Sequence, residues 1–189
     1  ANSTHERRPW MSNNKKILVI GAGYVGLTSS VCFAKLGHQV TAYDLNLERI
    51  QKLQSGKAPI FEPGLDSLIL EGQSNGNLVF VSNPTEAAAA ADFVFLCVPT
   101  PQDQDGSADL SAVLNAAGSI AKLLRPGAIV VTKSTVPVGS AHRIKEALGR
   151  RDVEVASNPE FLREGTAIED FMNPDRIVVG ADEAKVAEH

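Results

Sequence analysis

Three glycines at fixed spacing are the first residues of this sequence that could do chemistry. They lie in the run Gly-Ala-Gly-Tyr-Val-Gly, directly after the apolar segment Ile17–Ile20 and before a helical pattern. In that context the first glycine permits a tight turn, the second lets the backbone approach a pyrophosphate, and the third allows close helix–strand packing. The helix N-terminus adds free N–H groups and the positive end of its dipole. The predicted phosphate-binding residues are Gly21, Ala22, Gly23, Tyr24, Val25 and Gly26.

An acidic residue follows at the distance expected of a dinucleotide site. Asp44 ends the next strand pattern, 18 residues beyond Gly26. A carboxylate about 20 residues after the glycines hydrogen-bonds the adenine-ribose hydroxyls, and it would repel a 2′-phosphate. We therefore expect NAD, and not NADP, as the cofactor. The alternative is a plain glycine turn followed by a strand-end aspartate that caps the next helix.

These residues need a parallel sheet to position them, and apolar runs that alternate with helical patterns predict one. The predicted strands are Ile17–Ile20, Val40–Asp44, Leu78–Val81, Phe93–Val98, Ile129–Lys133 and Val153–Ala156, with a further short candidate at Ile177–Val179. The predicted helices are Tyr24–Leu36, Leu47–Leu53, Thr85–Ala91, Leu110–Leu124, Ser140–Leu148 and Ala184–Ala187. The turn-rich stretch Ser55–Gly64 contains Ile60 and Phe61, which we expect to pack against the domain. The expected fold class is α/β, a doubly wound, mainly parallel Rossmann-type sheet with helices on both faces.

The composition excludes several classes of protein. The chain has 189 residues, of which 43% are hydrophobic and 21% charged, as is ordinary for a soluble globular domain. Its net charge of −4 argues against a nucleic-acid partner, and its apolar runs are too short for a membrane span. The four histidines lack metal-ligand spacing, and Cys32 and Cys97 lack CxxC spacing, so we expect no metal and a reducing, cytoplasmic location.

The domain is expected to occupy residues 11–189. Residues 1–10 carry no apolar segment of the kind found in a secretory signal. We expect them to be an appended or unstructured stretch that precedes the domain.

Six motifs in one order resemble the UDP-glucose/GDP-mannose dehydrogenase family. They are the glycine run at 21–26, FEPGL at 61–65, VPTP at 98–101, KSTVPV at 133–138, NPEFLREGTA at 158–167 and NPDR at 173–176. The resemblance extends from about Lys15 to about Gly180. It implies an NAD-binding domain of an enzyme that performs two successive NAD-dependent oxidations at C6 of a sugar nucleotide, giving the uronic acid.

The resemblance also assigns roles to individual residues. Glu160 is similar to the acid–base residue of the family, and Thr135 to its threonine near the nicotinamide and the catalytic water. Further cofactor-binding residues implied by the resemblance are Arg49, Val98, Pro99, Thr100, Ser134, Thr135 and Glu164. The substrate-binding segment that it implies consists of Glu160, Phe161, Leu162, Arg163 and Glu164. From the residues alone, a proline-ordered loop at Thr100, a helix cap at Thr135 and ordinary surface residues at Arg49 and the glutamates stay open as alternatives.

The catalytic cysteine of the family lies in a glycine-rich segment beyond the first domain, and the resemblance finds no such segment here. Cys32 falls in a predicted helix and Cys97 in a predicted strand, so both are expected to be small buried side chains. We therefore expect this chain to bind NAD without full turnover. UDP-glucose is the expected substrate of a complete, homo-oligomeric protein, since Gly165 and the 173–176 motif favour that branch. GDP-mannose, a UDP-N-acetylhexosamine or a stand-alone NAD-binding module without catalysis are the alternatives.

Overall fold

The computed structural model describes residues 14–103, 106–134, 136–137 and 139–188. Within them the chain forms one sheet of seven strands, in the order β3-β2-β1-β4-β5-β6-β7, and eight helices. The strands are β1 (Lys16–Ile20), β2 (Gln39–Tyr43), β3 (Leu78–Val81), β4 (Phe93–Leu96), β5 (Ile129–Thr132), β6 (Glu154–Ser157) and β7 (Gly180–Ala181). The helices are α1 (Tyr24–Lys35), α2 (Leu47–Gln54), α3 (Leu65–Ser74), α4 (Thr85–Ala90), α5 (Ser111–Ile120), α6 (Ser140–Leu148), α7 (Ala167–Met172) and α8 (Ala184–Ala187). In the part of the chain described, no helix has both the length and the apolar character needed to cross a membrane.

The sheet is parallel from β1 to β6, and β7 pairs antiparallel with β6. Two hydrophobic cores cover its opposite faces, because side chains alternate between faces along each strand. In β1, Ile17 and Val19 pack in one core with α1 and α3, whereas Leu18 and Ile20 pack in the other with α5 and α6. Strands buried on both faces are continuously apolar. The predicted doubly wound, mainly parallel sheet is confirmed.

The strand order reverses beside β1, which has β2 on one side and β4 on the other. In open α/β sheets, ligands bind at this switch point, outside the carboxyl ends of the strands. The glycine run begins there: the Gly21 N–H donates to the Tyr43 carbonyl at 2.8 Å. On the other side the Cys97 N–H donates to the Ile20 carbonyl, also at 2.8 Å. The fold therefore places the glycine run in the crevice where a cofactor would enter.

Two helices of the structure were not predicted from the sequence. Helix α3 follows Gly64, which adopts a φ of +81°. It buries Leu65, Leu68 and Ile69, which have the i, i+3, i+4 spacing of an amphipathic helix. The turn formers just before it obscured this pattern. Helix α7 has only six residues, which are too few to show a helical period.

Three further expectations are wrong in detail. The helix expected at Leu110–Leu124 is shorter, and the strand expected at Ile177–Val179 lies instead at Gly180–Ala181, where it pairs with β6. Ile60 packs against a core as expected, but Phe61 is 89% exposed. The next residue, Glu62, points inward instead, because three hydrogen-bond donors contact its carboxylate.

Candidate cofactor and substrate site

The glycine run joins β1 to α1, and two of its glycines are fixed by the protein itself. Gly21 has a φ of +97°, and a Cβ added to it would lie 2.6 Å from the Cys97 carbonyl oxygen. A Cβ added to Gly26 would overlap the Gly21 carbonyl oxygen. Both positions therefore exclude any side chain, because the turn and the close helix packing leave no room.

Gly23 is different, because the fold does not require a glycine there. It caps the N-terminus of α1 with a φ of −76°, which any residue can adopt. Apart from its chain neighbours, no atom of the described residues lies within 4 Å of the place where its Cβ would be. This open space lies in front of free helix N–H groups, the arrangement that binds a pyrophosphate. The glycine run thus fits a dinucleotide, with Gly23 as the position where a side chain would exclude the ligand.

Asp44 follows the end of β2 and braces the glycine run. Its Oδ2 accepts the Ala22 N–H at 2.8 Å and the Arg49 Nη1 at 2.9 Å, and its Oδ1 accepts the Asn46 N–H at 2.9 Å. The residue is 9% exposed. A carboxylate offers about four acceptor sites, so these three donors leave capacity for a ribose hydroxyl.

The charge of Asp44 is held in place by its partners. Burial by itself would raise the pKa of Asp44, but the N–H groups of Asn46 and Ala22 and the guanidinium of Arg49 together lower it below its usual value. Arg49 lies on α2, and its side chain points back at Asp44. That Arg49 flanks the adenine ribose stays a prediction. The pair gives the site a fixed carboxylate at neutral pH.

The loops after β4 and β5 lie at the same edge of the sheet, since these strands are neighbours. Val98, Pro99 and Thr100 follow β4, and Ser134 follows β5. The Ser134 Oγ donates to the Val98 carbonyl at 2.7 Å, which ties the two loops together. Thr135, expected beside them, lies outside the described residues. The four described residues thus lie beside the crevice, and their contacts with a cofactor stay predictions.

Two charged residues, buried Lys133 and half-buried Glu160, follow the carboxyl ends of the neighbouring strands β5 and β6. Lys133 follows β5 and is 5% exposed, and its Nζ donates to Asn158 Oδ1 at 3.1 Å. Burial lowers the pKa of Lys133. Burial also raises the pKa of Glu160, although the nearby Lys133 opposes that shift. A carboxyl with a raised pKa is a better proton acceptor near neutral pH.

Glu160 also has an unsatisfied atom. Within the described part of the chain, its buried Oε2 finds no hydrogen-bond partner. Buried polar atoms are normally paired, so an oxygen of this kind at a strand end indicates a position where a water or a ligand group completes the contact. Lys133 and Asn158 were not singled out from the sequence. The available signal was a charged residue directly after the apolar strand Ile129–Thr132.

The segment after Glu160 exposes most of its side chains. Phe161 is 49% exposed, and the Arg176 guanidinium lies 4.6 Å from its ring centroid. Leu162 is half-buried, and Glu164 is exposed. The segment therefore has free surface for a further binding partner, as its predicted substrate role requires.

The side chain of Arg163 is already engaged within that segment. Its Nη2 lies 2.6 Å from Asp170 Oδ1, and its Nε and backbone N–H donate to Asp170 Oδ2 at 3.2 and 3.0 Å. The Thr166 hydroxyl donates to the same oxygen at 3.1 Å. These contacts, led by the Arg163 side chain, lower the pKa of Asp170 to about 2. The side chain and the backbone N–H of Arg163 are thus both engaged within the chain, and its contact with a substrate stays a prediction.

Glu62 is a further residue of the site that sequence reasoning missed. It is 6% exposed, and its Oε2 accepts the Tyr24 hydroxyl and the Gly165 N–H, both at 2.8 Å. Its Oε1 accepts the Ala167 N–H at 2.9 Å. Tyr24 belongs to the glycine run and the other two donors to the segment that leads into α7. A glutamate inside the FEPGL motif was visible in the sequence, but no local pattern reveals partners more than a hundred residues away.

The two cysteines are poor nucleophiles. Cys32 is buried in α1, and Cys97 is partly buried just after β4. Burial raises the pKa of each thiol to about 12, although Lys133 opposes the shift at both positions. The thiolate is the reactive form, so neither side chain is poised for covalent chemistry at neutral pH.

Comparison with known proteins identifies relatives along nearly the whole chain. The family model for the NAD binding domain of the UDP-glucose/GDP-mannose dehydrogenase family matches residues 15–189. A UDP-glucose 6-dehydrogenase from Rhizobium meliloti is 53% identical over 172 residues, which are 88% of this chain and 39% of that protein.

Two solved structures are similar in fold as well as in sequence. A UDP-glucose dehydrogenase from the archaeon Pyrobaculum islandicum superimposes with a TM-score of 0.88 at 43% identity, covering 96% of this chain and 44% of that one. A GDP-mannose dehydrogenase from Pseudomonas aeruginosa superimposes with a TM-score of 0.85 at 33% identity, covering 92% of this chain and 42% of that one. This chain thus spans about two fifths of the length of the curated relatives it matches.

Proposed function

The chain belongs to the UDP-glucose/GDP-mannose dehydrogenase family as its N-terminal NAD-binding domain, and we propose that the complete protein oxidises UDP-glucose to UDP-glucuronate with two NAD. Relatives named UDP-glucose 6-dehydrogenase are 46% and 53% identical to the chain. The similar GDP-mannose dehydrogenase is 33% identical. This difference supports UDP-glucose over the other sugar nucleotides.

The observation that carries the proposal is the meeting of two regions at one carboxylate. Tyr24 of the glycine run and Gly165 of the segment after β6 both donate to Glu62 Oε2 at 2.8 Å. A cofactor in front of Gly23 and a sugar nucleotide on residues 160–164 would therefore lie next to each other. A dehydrogenase needs its two reactants in contact, because positioning supplies much of the rate.

On this proposal the residues of the chain hold and orient, while bound NAD supplies the hydride acceptor. Gly23 leaves room for the pyrophosphate at the N-terminus of α1, and Asp44 accepts from the adenine ribose. The loops at residues 98–100 and at Ser134 border the nicotinamide half, together with Glu164. The strand order supports this assignment for the two loops, because β4 and β5 are neighbours, whereas the role of Glu164 rests on the resemblance to the family.

Glu160 is proposed to act as the proton acceptor. Its pKa is raised by burial, and one of its oxygens is buried without a partner among the described residues. An attacking water must lose a proton, and a carboxyl group with a raised pKa accepts one near neutral pH. The positive charge of Lys133 favours the ionised form of Glu160 and therefore opposes the rise in the pKa of Glu160.

The first experiment measures turnover by the 189-residue chain itself. We expect NAD to bind, as seen by calorimetry, but no sustained NADH absorbance with UDP-glucose, because the pKa of each thiol is raised and neither is reactive at neutral pH. Glu160→Gln serves as the control for background NADH. Sustained NADH formation that disappears in Glu160→Gln would place the whole catalytic machinery in this chain and contradict the proposal.

The second experiment tests the sugar nucleotide. The NAD-saturated chain is titrated in the calorimeter with UDP-glucose, GDP-mannose and, for reference, UMP. We expect the strongest binding with UDP-glucose. Tighter binding of GDP-mannose would overturn the choice of substrate, while leaving the cofactor assignment intact.

A further inference from the structure

We propose that Glu62 is a positioning residue that couples NAD binding at the glycine run to the order of residues 163–167, a role that rests on the function proposed above. The residue makes no contact with the space in front of Gly23. It lies between the two binding regions and joins them through hydrogen bonds to both.

The geometry of Glu62 is that of a two-sided clamp. Its Oε2 receives one donor from each region, the Tyr24 hydroxyl and the Gly165 N–H, and its Oε1 receives the Ala167 N–H. The residue is 6% exposed. A buried carboxylate with three donors is costly to rearrange, because each donor left unpaired loses its hydrogen bond without regaining water. The Glu62 carboxylate thereby fixes the position of the two regions relative to each other.

Tyr24 is the link on the cofactor side. It is the first residue of α1, the helix whose N-terminus faces the open space at Gly23. Its hydroxyl also lies 3.1 Å from the Arg163 carbonyl oxygen. Burial and the adjacent Glu62 raise the pKa of Tyr24 well above its usual value, so the hydroxyl keeps its proton and remains a donor. A ligand that restricts the motion of the first turn of α1 therefore also restricts Tyr24. Through the hydrogen bond of Tyr24, it restricts Glu62 as well.

The segment on the other side is held by this clamp and by the hydrogen bonds of Arg163 and Thr166 to Asp170. Gly165 has a φ of +88°, and a Cβ there would have no neighbour within 4 Å, so side-chain packing does not fix the turn. Helix α7 is anchored separately, because Phe171 packs against Phe33 of α1 with ring centroids 5.1 Å apart. The coupling is accordingly local: it concerns residues 163–167 and not the helix that follows.

The chemistry requires a glutamate. All three partners donate, and both oxygens of the carboxylate accept from them. Glutamine would present an NH2 group to one of these donors, and aspartate is one methylene too short to reach both sides. Glu62→Gln should therefore release one region from the other, while the volume of the side chain is conserved.

The test is peptide-resolved hydrogen exchange of the 189-residue chain with and without saturating NAD. In the wild type we expect NAD to slow exchange at residues 21–27 and also at residues 163–167. The second effect should be about three- to tenfold, which corresponds to the net strength of one hydrogen bond. In Glu62→Gln the effect at 21–27 should persist and the effect at 163–167 should vanish.

Tyr24→Phe keeps the test decisive if Glu62→Gln does not fold. It removes only the hydroxyl and leaves Gly165 and Ala167 bonded to Glu62. We expect basal protection at 163–167 and loss of its NAD-induced increase, with NAD adjusted to equal saturation in each protein. Asp170→Asn is the matched control, because it loosens the same segment through Arg163 but leaves the clamp intact. There the NAD-induced increase should remain.

The outcomes separate the two proposals. If NAD protects residues 21–27 in every protein but changes 163–167 equally in wild type, Glu62→Gln and Tyr24→Phe, the coupling role of Glu62 is wrong and the cofactor site stands. If NAD protects neither region in the wild type, the proposed function itself fails.

Discussion

The cofactor half and the substrate half of the site differ in how completely the chain satisfies its own polar groups. In the cofactor half, the Asp44 carboxylate has three donors within 2.9 Å. In the substrate half, an oxygen of Glu160 is buried without a partner among the described residues, and Phe161 is half exposed. The protein itself supplies the partners of the carboxylate in the cofactor half, whereas the substrate half keeps a buried oxygen and an exposed ring available for a ligand.

This difference predicts which half can work alone. Preorganised donors and acceptors bind a ligand without the cost of ordering them, so we expect the cofactor half to bind NAD with the groups of this chain alone. The substrate half instead presents exposed side chains and a buried oxygen without a partner among the described residues, so we expect further groups to be needed to enclose a substrate. We expect the remaining part of a complete protein to supply them, since the chain covers only 44% of the similar Pyrobaculum islandicum enzyme.

The largest effect should come from breaking the brace of the cofactor half. Asp44→Asn presents an NH2 group to donors that now meet a carboxylate, so the free energy of unfolding should fall by about 2 kcal/mol, as a buried unpaired donor implies. Loss of the negative charge should also narrow the preference for NAD over NADP by about tenfold or more. Urea unfolding and calorimetric titration with both cofactors measure the two effects.

Asp66→Asn is the control for that variant, because Asp66 lies in the first turn of α3 and accepts the Ala58 N–H at 2.8 Å in an exposed hydrogen bond. It should leave the cofactor preference unchanged. Equal affinity of the wild-type chain for NAD and NADP would show that Asp44 does not select the cofactor.

A second, smaller effect should separate ligand binding from folding within the glycine run. Gly23→Ala adds a Cβ in the space that the pyrophosphate would occupy, so it should weaken the binding of NAD by about tenfold or more, which is about 1.4 kcal/mol. The free energy of unfolding should change little. Gly118→Ala, in α5, makes the same chemical change where the Cβ has only an ordinary contact at 3.7 Å. It should stabilise the helix by about 0.5–1 kcal/mol and leave NAD affinity unchanged. An undiminished NAD-induced rise in melting temperature for Gly23→Ala would place the pyrophosphate elsewhere.

The turn of the glycine run and the place of Asp44 beside it could be predicted from the sequence because their signals are local, while their contacts with NAD stay predictions. The glycine spacing, the strand before it and Asp44 at the end of the next strand all lie within about thirty residues, and each follows from backbone geometry. The parallel sheet was predictable for a similar reason, since strands such as Ile17–Ile20 are apolar on both faces. The family and its cofactor were likewise predicted from the motifs and are confirmed by the family match.

The substrate half was less predictable because its contacts are long-range. Glu62 stands within a recognised motif, yet its partners Gly165 and Ala167 lie 103 and 105 residues further along the chain. The same limit explains Phe61: hydrophobicity predicts burial, but the inward turn of its neighbour decided its position. Lys133 could not be placed either, because only the packed structure shows that a charged residue is 5% exposed.

The smallest effect should come from the ion pair of the substrate half, which Arg163 and Asp170 form. The pKa of Asp170 is lowered to about 2 by its hydrogen bonds from Arg163 and Thr166, against an ordinary value of about 3.9. A carboxylate whose pKa falls on folding stabilises the fold at pH values above its ordinary pKa, and that contribution is lost as the pH falls toward 2.

Because the Arg163 side chain is 77% exposed, solvent and salt screen its ion pair with Asp170. Asp170→Asn should therefore lower the melting temperature at pH 7 by less than about 3 °C, and the difference from wild type should shrink between pH 4 and pH 2. Thermal melts across that range, at low and high salt, measure it. A loss as large as that of Asp44→Asn would mean that the substrate half is braced as firmly as the cofactor half, and the contrast between them would not hold.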